Sequence, residues 1–359
     1  MSDERSQTLD YPVAPMMPIS ERAARLHRES IVIDPCVQYL LRRTDRTDRS
    51  GLTAVALTIP MPNEDAGQTY PRVRQFLEVI HAEPTFCLGD SPAAIRGAKA
   101  DGKMAHILLS QDSLFLGSDP GNLLLWKQLG LRVCQLTYNE KNLLGDGCLE
   151  RHDGGLSQLG RVMIREMERV GVTVDLTHAG RQTFLDACAV ATRPVITSHS
   201  NPAAVASNPR NIDDAQIRAV AALGGVVCVT TWAPLIWRGT PGMPTLDDWL
   251  RCVDHAVQLV GIDHVGVSTD SMGTMGAYPV HARNPDALPY GSVTDEFDRL
   301  ARPPDSNNRQ PADFNGIEDF PWLVEKLCAH GASDGDIGKL LGGNLLRVFD
   351  ATWRPDWLG

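Results

Sequence analysis

The feature that most constrains this chain is a series of short apolar runs that are continuous rather than alternating. They fall at 31–35 (IVIDP), 52–59 (LTAVALTI), 105–111 (AHILLSQ), 131–138 (LRVCQLTY), 172–177 (VTVDLT), 194–198 (PVITS), 224–231 (GGVVCVTT) and 264–269 (HVGVST). A strand with one wet face alternates apolar and polar residues with a period of two. A continuous β-branched run instead suits a strand covered on both faces, as crossover helices cover a parallel sheet.

Helical patterns lie between most of these runs. In 156–171, Leu159, Met163, Met167 and Val170 line one face and Gly171 ends it. In 212–225, Asp213 and Asp214 sit in the first turn and Gly224 closes the end. A third helix is expected over 245–261, and the last ones near 318–330 and 334–350. Strand and helix in repeated alternation predict an α/β fold, a (β/α)8 TIM-type barrel with right-handed crossovers. A doubly wound open sheet is the rival, and no G-x-G-x-x-G turn follows the first run to support it. The expected organisation is an N-terminal arm at 1–19 and one barrel domain over 20–359. Its long loop, at about 271–316, is rich in Gly, Pro, Asn and Asp.

Composition narrows the function classes. With 34 Lys and Arg against 44 Asp and Glu, the net charge is −10. Nucleic acid and anionic membranes select clustered basic residues, so neither is expected as a partner. The N-terminal stretch is charged, lacks the apolar core of a signal peptide, and no apolar run reaches the length of a membrane span. The eight Cys show no C-x-x-C pair. Reduced thiols and a cytoplasmic location are the expectation.

Barrels of this kind gather their chemistry at the C-terminal ends of the strands. Those ends carry Asp34, Cys36 and Gln38; Gln111 and Asp112; Tyr138 and Asn139; Asp175 and His178; His199; and Asp270. Two imidazoles on successive strand ends and a carboxylate two strands on are suitable ligands for a zinc-type ion. Either His alone reads more readily as a hydrogen-bonded strand-end residue; the two together with Asp270 favour the metal. Arg210, in NPRNIDDAQ before a helix, has the planar fork that clamps a carboxylate, and reads also as a surface Arg. The loop 139–157 concentrates Asp146, Cys148, Glu150, His152 and Asp153, a density that solvated turns produce more often than metal sites do.

Several stretches together resemble the membrane dipeptidase (renal dipeptidase) family of metallopeptidases, peptidase family M19. They are LTYNEKN (136–142), GDGCLERHDGGLSQLGRVMIREMERVGVTVDLTH (145–178), PVITSHSNPAAVASNPRNIDD (194–214), GVSTD (266–270) and GGNLLRVF (342–349). The resemblance spans about 20–350. It implies a (β/α)8 barrel with two zinc ions, a dipeptide-like small substrate and a homodimer. It assigns one ion to His178 and His199, the other in part to Asp270, and the substrate carboxylate to Arg210. A substrate-contacting His of the family falls on Tyr138.

The first strand departs from the family pattern Asp-Gly-His-x-Asp, reading Asp34-Pro35-Cys36-Val37-Gln38. The bridging Glu of the family falls on Gln111. Two carboxylates have become amides, which removes the negative charge that offsets two adjacent dications. The expectation is therefore one zinc ion, held by His178, His199 and Asp270. Asp270 serves as ligand or general base and Tyr138 donates to the developing oxyanion in hydrolysis of a dipeptide or similar small amide. The alternative is a non-catalytic barrel that binds a small ligand or a partner.

Overall fold

The computed structural model describes residues 17–273 and 310–354. Nine parallel strands are present among them: β1 (Ile33–Val37), β2 (Ala54–Thr58), β3 (Phe86–Leu88), β4 (Met104–Ser110), β5 (Leu131–Gln135), β6 (Thr173–Asp175), β7 (Ile196–Ser200), β8 (Val226–Thr230) and β9 (Val265–Ser268). The pairing path is β1-β2-β4-β5-β6-β7-β8-β9, with β3 added to the lower part of β4. All eight runs of the sequence are the eight strands of this near-closed barrel. The short β3 was not anticipated. It is three residues long, and Phe86-Cys87-Leu88 is too brief a run to separate from a loop.

Side chains alternate along each strand between two apolar clusters. Ala54, Ala56, Ala105, Ile107, Val226 and Cys228 join Leu345, Val348 and Phe349 of the C-terminal helix. Val55, Leu57, Leu108, Val227 and Val229 pack with the outer helices Ala66–Ala82, Gln158–Val170 and Leu246–Val260. Both faces are buried, which is why the runs carried no alternation. The helix ends follow local rules. Ser157 accepts from Gly160 N, Gly171 closes that helix at φ 79°, and Asp213 and Gln216 cap the helix Asp214–Ala222 reciprocally.

The C-terminal helix covers the floor of the barrel. Thr352 Oγ1 meets Thr173 Oγ1 at 2.6 Å at the start of β6, and Asn344 Nδ2 donates to Ile262 O and Val265 O beside β9. Gly342 presses against the chain entering β1, where a Cβ would lie 2.5 Å from Ile31 O. The GGNLLRVF motif is thus floor packing. At the opposite end, Val37 bridges Ser271, and Gln38 N donates to Ser271 O at 2.9 Å, closing the cylinder. Of the expected loop, residues 274–309 lie outside the described residues, as do 1–16 of the expected arm. The loop's near and far ends are described. Gln310 returns to the barrel, donating to Thr269 O and accepting from Thr231 Oγ1. No described helix is long and apolar enough to cross a membrane.

Two imidazoles are buried away from the mouth. His27 contacts Ser50 O, and His106 lies between Met104 O and Leu40 O. Burial pushes both from 6.5 to about 4, against the pull of those carbonyls. In that window the unfolded chain binds more protons than the folded one. Stability is therefore expected to fall as pH drops from about 6.5 to about 4, by up to about 3 kcal/mol for each imidazole. Urea unfolding of the protein across that range checks this, and an unchanged midpoint would contradict it.

Candidate functional site

Closure of the barrel brings the end of β1 against the residues after β9. Asp34 makes the join. Its carboxylate accepts from Thr269 N at 3.2 Å, Thr269 Oγ1 at 2.5 Å and Ser268 Oγ at 3.4 Å. Complete burial raises its pKa to about 7 despite these donors. Two residues on, Cys36 Sγ lies 3.6 Å from Asp270 Oδ1, and Gln38 Nε2 donates to the same oxygen at 3.0 Å. Gln111, just past β4, donates through Nε2 to Cys36 Sγ and to Thr58 Oγ1, each at 3.0 Å. Burial, then Asp270 and Asp34, push the Cys36 thiol well above its ordinary range.

The imidazoles stand beside this group. His178 Nδ1 meets Asn139 Oδ1 at 2.6 Å, and His199 Nδ1 meets Ser198 Oγ at 2.8 Å. An amide oxygen only accepts, so His178 carries its proton on Nδ1 and presents a lone pair at Nε2. The two Nε2 atoms face each other at 3.1 Å. That contact is satisfied by one N–H between them or by a cation between them. Tetrahedral zinc with nitrogens at about 2.0–2.1 Å would set two such atoms about 3.3 Å apart. Burial first, then Arg210 and His199, hold the His178 pKa well below 6.5. Outer hydrogen bonds of this kind are how metal-binding imidazoles are oriented.

Backbone conformation marks the same residues. His178 (φ 68°) and Asp270 (φ 46°) are two of the three non-glycine residues with positive φ among the described residues. Such conformations cost on the order of 1–3 kcal/mol and persist where the surroundings impose them.

The ligand atoms that lie within 4.8 Å of one another belong to Cys36, His199 and Asp270. His178 adjoins this trio through His199. Direct contacts link Cys36, Gln38, Gln111 and Asp270 on one side and His178, His199, Tyr138 and Arg210 on the other, and the close group that joins the two sides contains Cys36 rather than His178. Asp112 does not substitute for Gln111. Its carboxylate is taken by Asn63 N, Ser113 N and Asn142 Nδ2. The roles of Asn139, Ser198 and Thr58 escaped the sequence reading. The one available signal was that Asn139 and Ser198 sit beside Tyr138 and His199 at strand ends.

Arg210 is 2% exposed. Its guanidinium donates to Ser200 Oγ at 3.1 Å and His199 O at 2.8 Å, while its buried Nε has no partner. A surface role is thereby ruled out. Tyr138 stacks on His178 with ring centroids 4.1 Å apart. The loop 139–157 is turn chemistry. Asp153 accepts from Gln182 N at the start of the helix Arg181–Val190, Asp146 from Gly154 N, and Glu150 from Lys141 N. That loop also fixes the site, since Cys148 N donates to His178 O at 2.8 Å and Gly147 bridges Ala179.

The sequence model described as "Membrane dipeptidase (Peptidase family M19)" matches residues 20–280. Dipeptidase verJ of Clonostachys rogersoniana is 29% identical over 253 residues, which is 70% of this chain and 56% of that protein. The chain thus spans about half the length of that curated relative. An amidohydrolase structure from Pseudomonas aeruginosa superposes with a TM-score of 0.79 at 30% identity, covering 92% of this chain and 99% of the other. A metallopeptidase from Rhodobacter sphaeroides, liganded with a phosphinate mimic of L-Ala-D-Ala, shares the fold at a TM-score of 0.72 and 21% identity. That match covers 90% of this chain and 100% of the other.

A Cβ on Gly147 would lie 2.2 Å from Asn139 C. Gly147→Ala is expected to cost about 1–3 kcal/mol by forcing the loop off the strand ends. Chemical denaturation checks this; a variant as stable as the parent would show that the contact does not constrain the loop.

Proposed function

The chain belongs to the membrane dipeptidase family, peptidase family M19, and on that footing we propose that it hydrolyses a dipeptide or similar small amide with a single divalent ion, zinc by resemblance. The observation that carries this reading is the pair of imidazole nitrogens facing each other at 3.1 Å next to Asp270. His178, His199 and Asp270 would hold the ion. When bound, it supplies a Lewis acid for the scissile carbonyl and for the attacking water.

The remaining work falls to the chain's own groups. Arg210 anchors the substrate carboxylate through the N–H donors its two internal bonds leave over, the unpartnered Nε–H among them. Its two other bonds, to Ser200 and to the His199 carbonyl, hold the fork beside β7. Asp270 accepts a proton from the attacking water, and Gln38 steadies that carboxylate. Tyr138, fixed by stacking on His178, donates to oxygen as charge develops there. Asn139 and Ser198 keep both imidazoles in the orientation that offers Nε2.

A second reading, a barrel that binds a ligand without turning it over, is favoured by the amides at 38 and 111. They stand where the family pattern has carboxylates, and both are engaged in hydrogen bonds.

Three outcomes test the first reading. Elemental analysis of the purified chain should find about one divalent ion per chain, lost in His178→Ala. No metal, together with no turnover of a dipeptide panel under added zinc, would leave only the second reading. Arg210→Ala should raise KM for free-carboxylate substrates far more than for their C-terminal amides; equal losses would remove the clamp role. Asn139→Ala should weaken zinc binding roughly 10–100-fold by titration calorimetry, since the His178 ring loses its orienting partner. Unchanged affinity would show that the ring needs no such partner.

A further inference from the structure

We propose that Cys36 is a thiolate ligand of that single ion, forming a sulfur–nitrogen–oxygen set with His199 and Asp270, and that Gln111 and Gln38 are amide donors to its sulfur. This rests on the one-ion reading above and adds a ligand to it.

The first support is placement. Cys36 Sγ, a His199 ring nitrogen and an Asp270 oxygen all lie within 4.8 Å of one another, and all three residues are buried. They come from β1, β7 and the segment after β9, so only closure of the barrel unites them. Sulfur, imidazole and carboxylate are each ordinary zinc ligands.

The second support is what surrounds the sulfur. Gln111 Nε2 lies 3.0 Å from it and Gln38 Nε2 3.7 Å. A core cysteine sits among apolar groups, as Cys228 does within the inner cluster. Cys36 instead has two amide N–H donors aimed at it, and a neutral thiol is only a weak acceptor. Such donors suit a sulfur that carries negative charge. They also explain why both positions are amides, since a carboxylate at 38 or 111 would lie against the thiolate and repel it.

Charge gives the third support. A Cys36 thiolate and the Asp270 carboxylate total two negative charges, which one dication neutralises. The imidazoles add none, and Gln38 and Gln111 add none. The proposed ligand atoms are therefore matched in charge to one ion, while the nearby Asp34 carboxylate is taken up by Ser268 and Thr269. The substitutions at 36, 38 and 111 become one coordinated change.

Cobalt(II) substitution reads the sulfur directly. The protein, stripped of metal and titrated with Co2+, is expected to bind one ion and to show a thiolate-to-cobalt charge-transfer band in the near ultraviolet. Cys36→Ser should lose the band while still binding one cobalt, with affinity reduced by more than the roughly 10–100-fold that loss of an outer partner costs. Cys188→Ser, on the helix Arg181–Val190 away from the mouth, should leave the band unchanged. One cobalt bound by the unmodified protein with no such band, or a band that survives Cys36→Ser, overturns the thiolate and leaves the one-ion reading standing. No cobalt bound at all overturns both. The wild-type spectrum is decisive even where Cys36→Ser fails to fold.

Discussion

The seam between the last strand and the first governs the rest of this structure. A cylinder of parallel strands has no free edge only if that seam closes, and here the backbone contribution is the thin Val37–Ser271 bridge. The buried Asp34 carboxylate reinforces it by gathering donors from Ser268 and Thr269. Burying that carboxylate is costly, as its raised pKa shows, and the hydrogen bonds are what offset the cost. The same closure sets Cys36 and Gln38 against Asp270. Chemistry and architecture share one joint.

Charge near that joint explains the departures from the family pattern. Carboxylates clustered in a buried mouth repel one another unless cations lie among them. With amides at 38 and 111, the mouth retains Asp270 as its acid beside the sulfur, and the amide hydrogens turn toward Cys36 and Asp270. Arg210 works on the other side of the imidazoles. Its positive charge helps keep His178 neutral, so Nε2 stays available as a lone pair. An imidazole that must bind a cation benefits from a neighbour that discourages its proton.

Stability and function pull apart at the same residues. His178 and Asp270 hold left-handed backbone conformations that a β-carbon disfavours, and Asn139, Gln38 and the Gly147 turn hold them there. Elsewhere the chain follows local preference closely, with capped helices, glycine stops and continuous buried strands. Among the described residues, two of the three left-handed non-glycine backbones lie at the mouth, where a side chain must be aimed.

The sequence alone determined the parallel α/β class and the eight main strands, with the barrel as the favoured closure. Continuous β-branched runs require cover on both faces, and the helical periods between them supply the outer cover while the closed barrel's own interior supplies the inner. It also placed His178, His199, Asp270 and Arg210 at strand ends, because position within an element is local information. It did not show β3, whose three residues gain strand geometry only from pairing with β4. Nor did it show that Cys36 joins His199 and Asp270 more tightly than His178 does. Those residues lie far apart in the chain, and their distances depend on how the cylinder closes and on where two backbones turn left-handed. The burial of Arg210 was equally hidden, since a guanidinium held by one hydroxyl and one carbonyl reads in sequence like any other surface charge. Local preference writes the elements; the convergence of side chains from different strands is decided only when the sheet shuts.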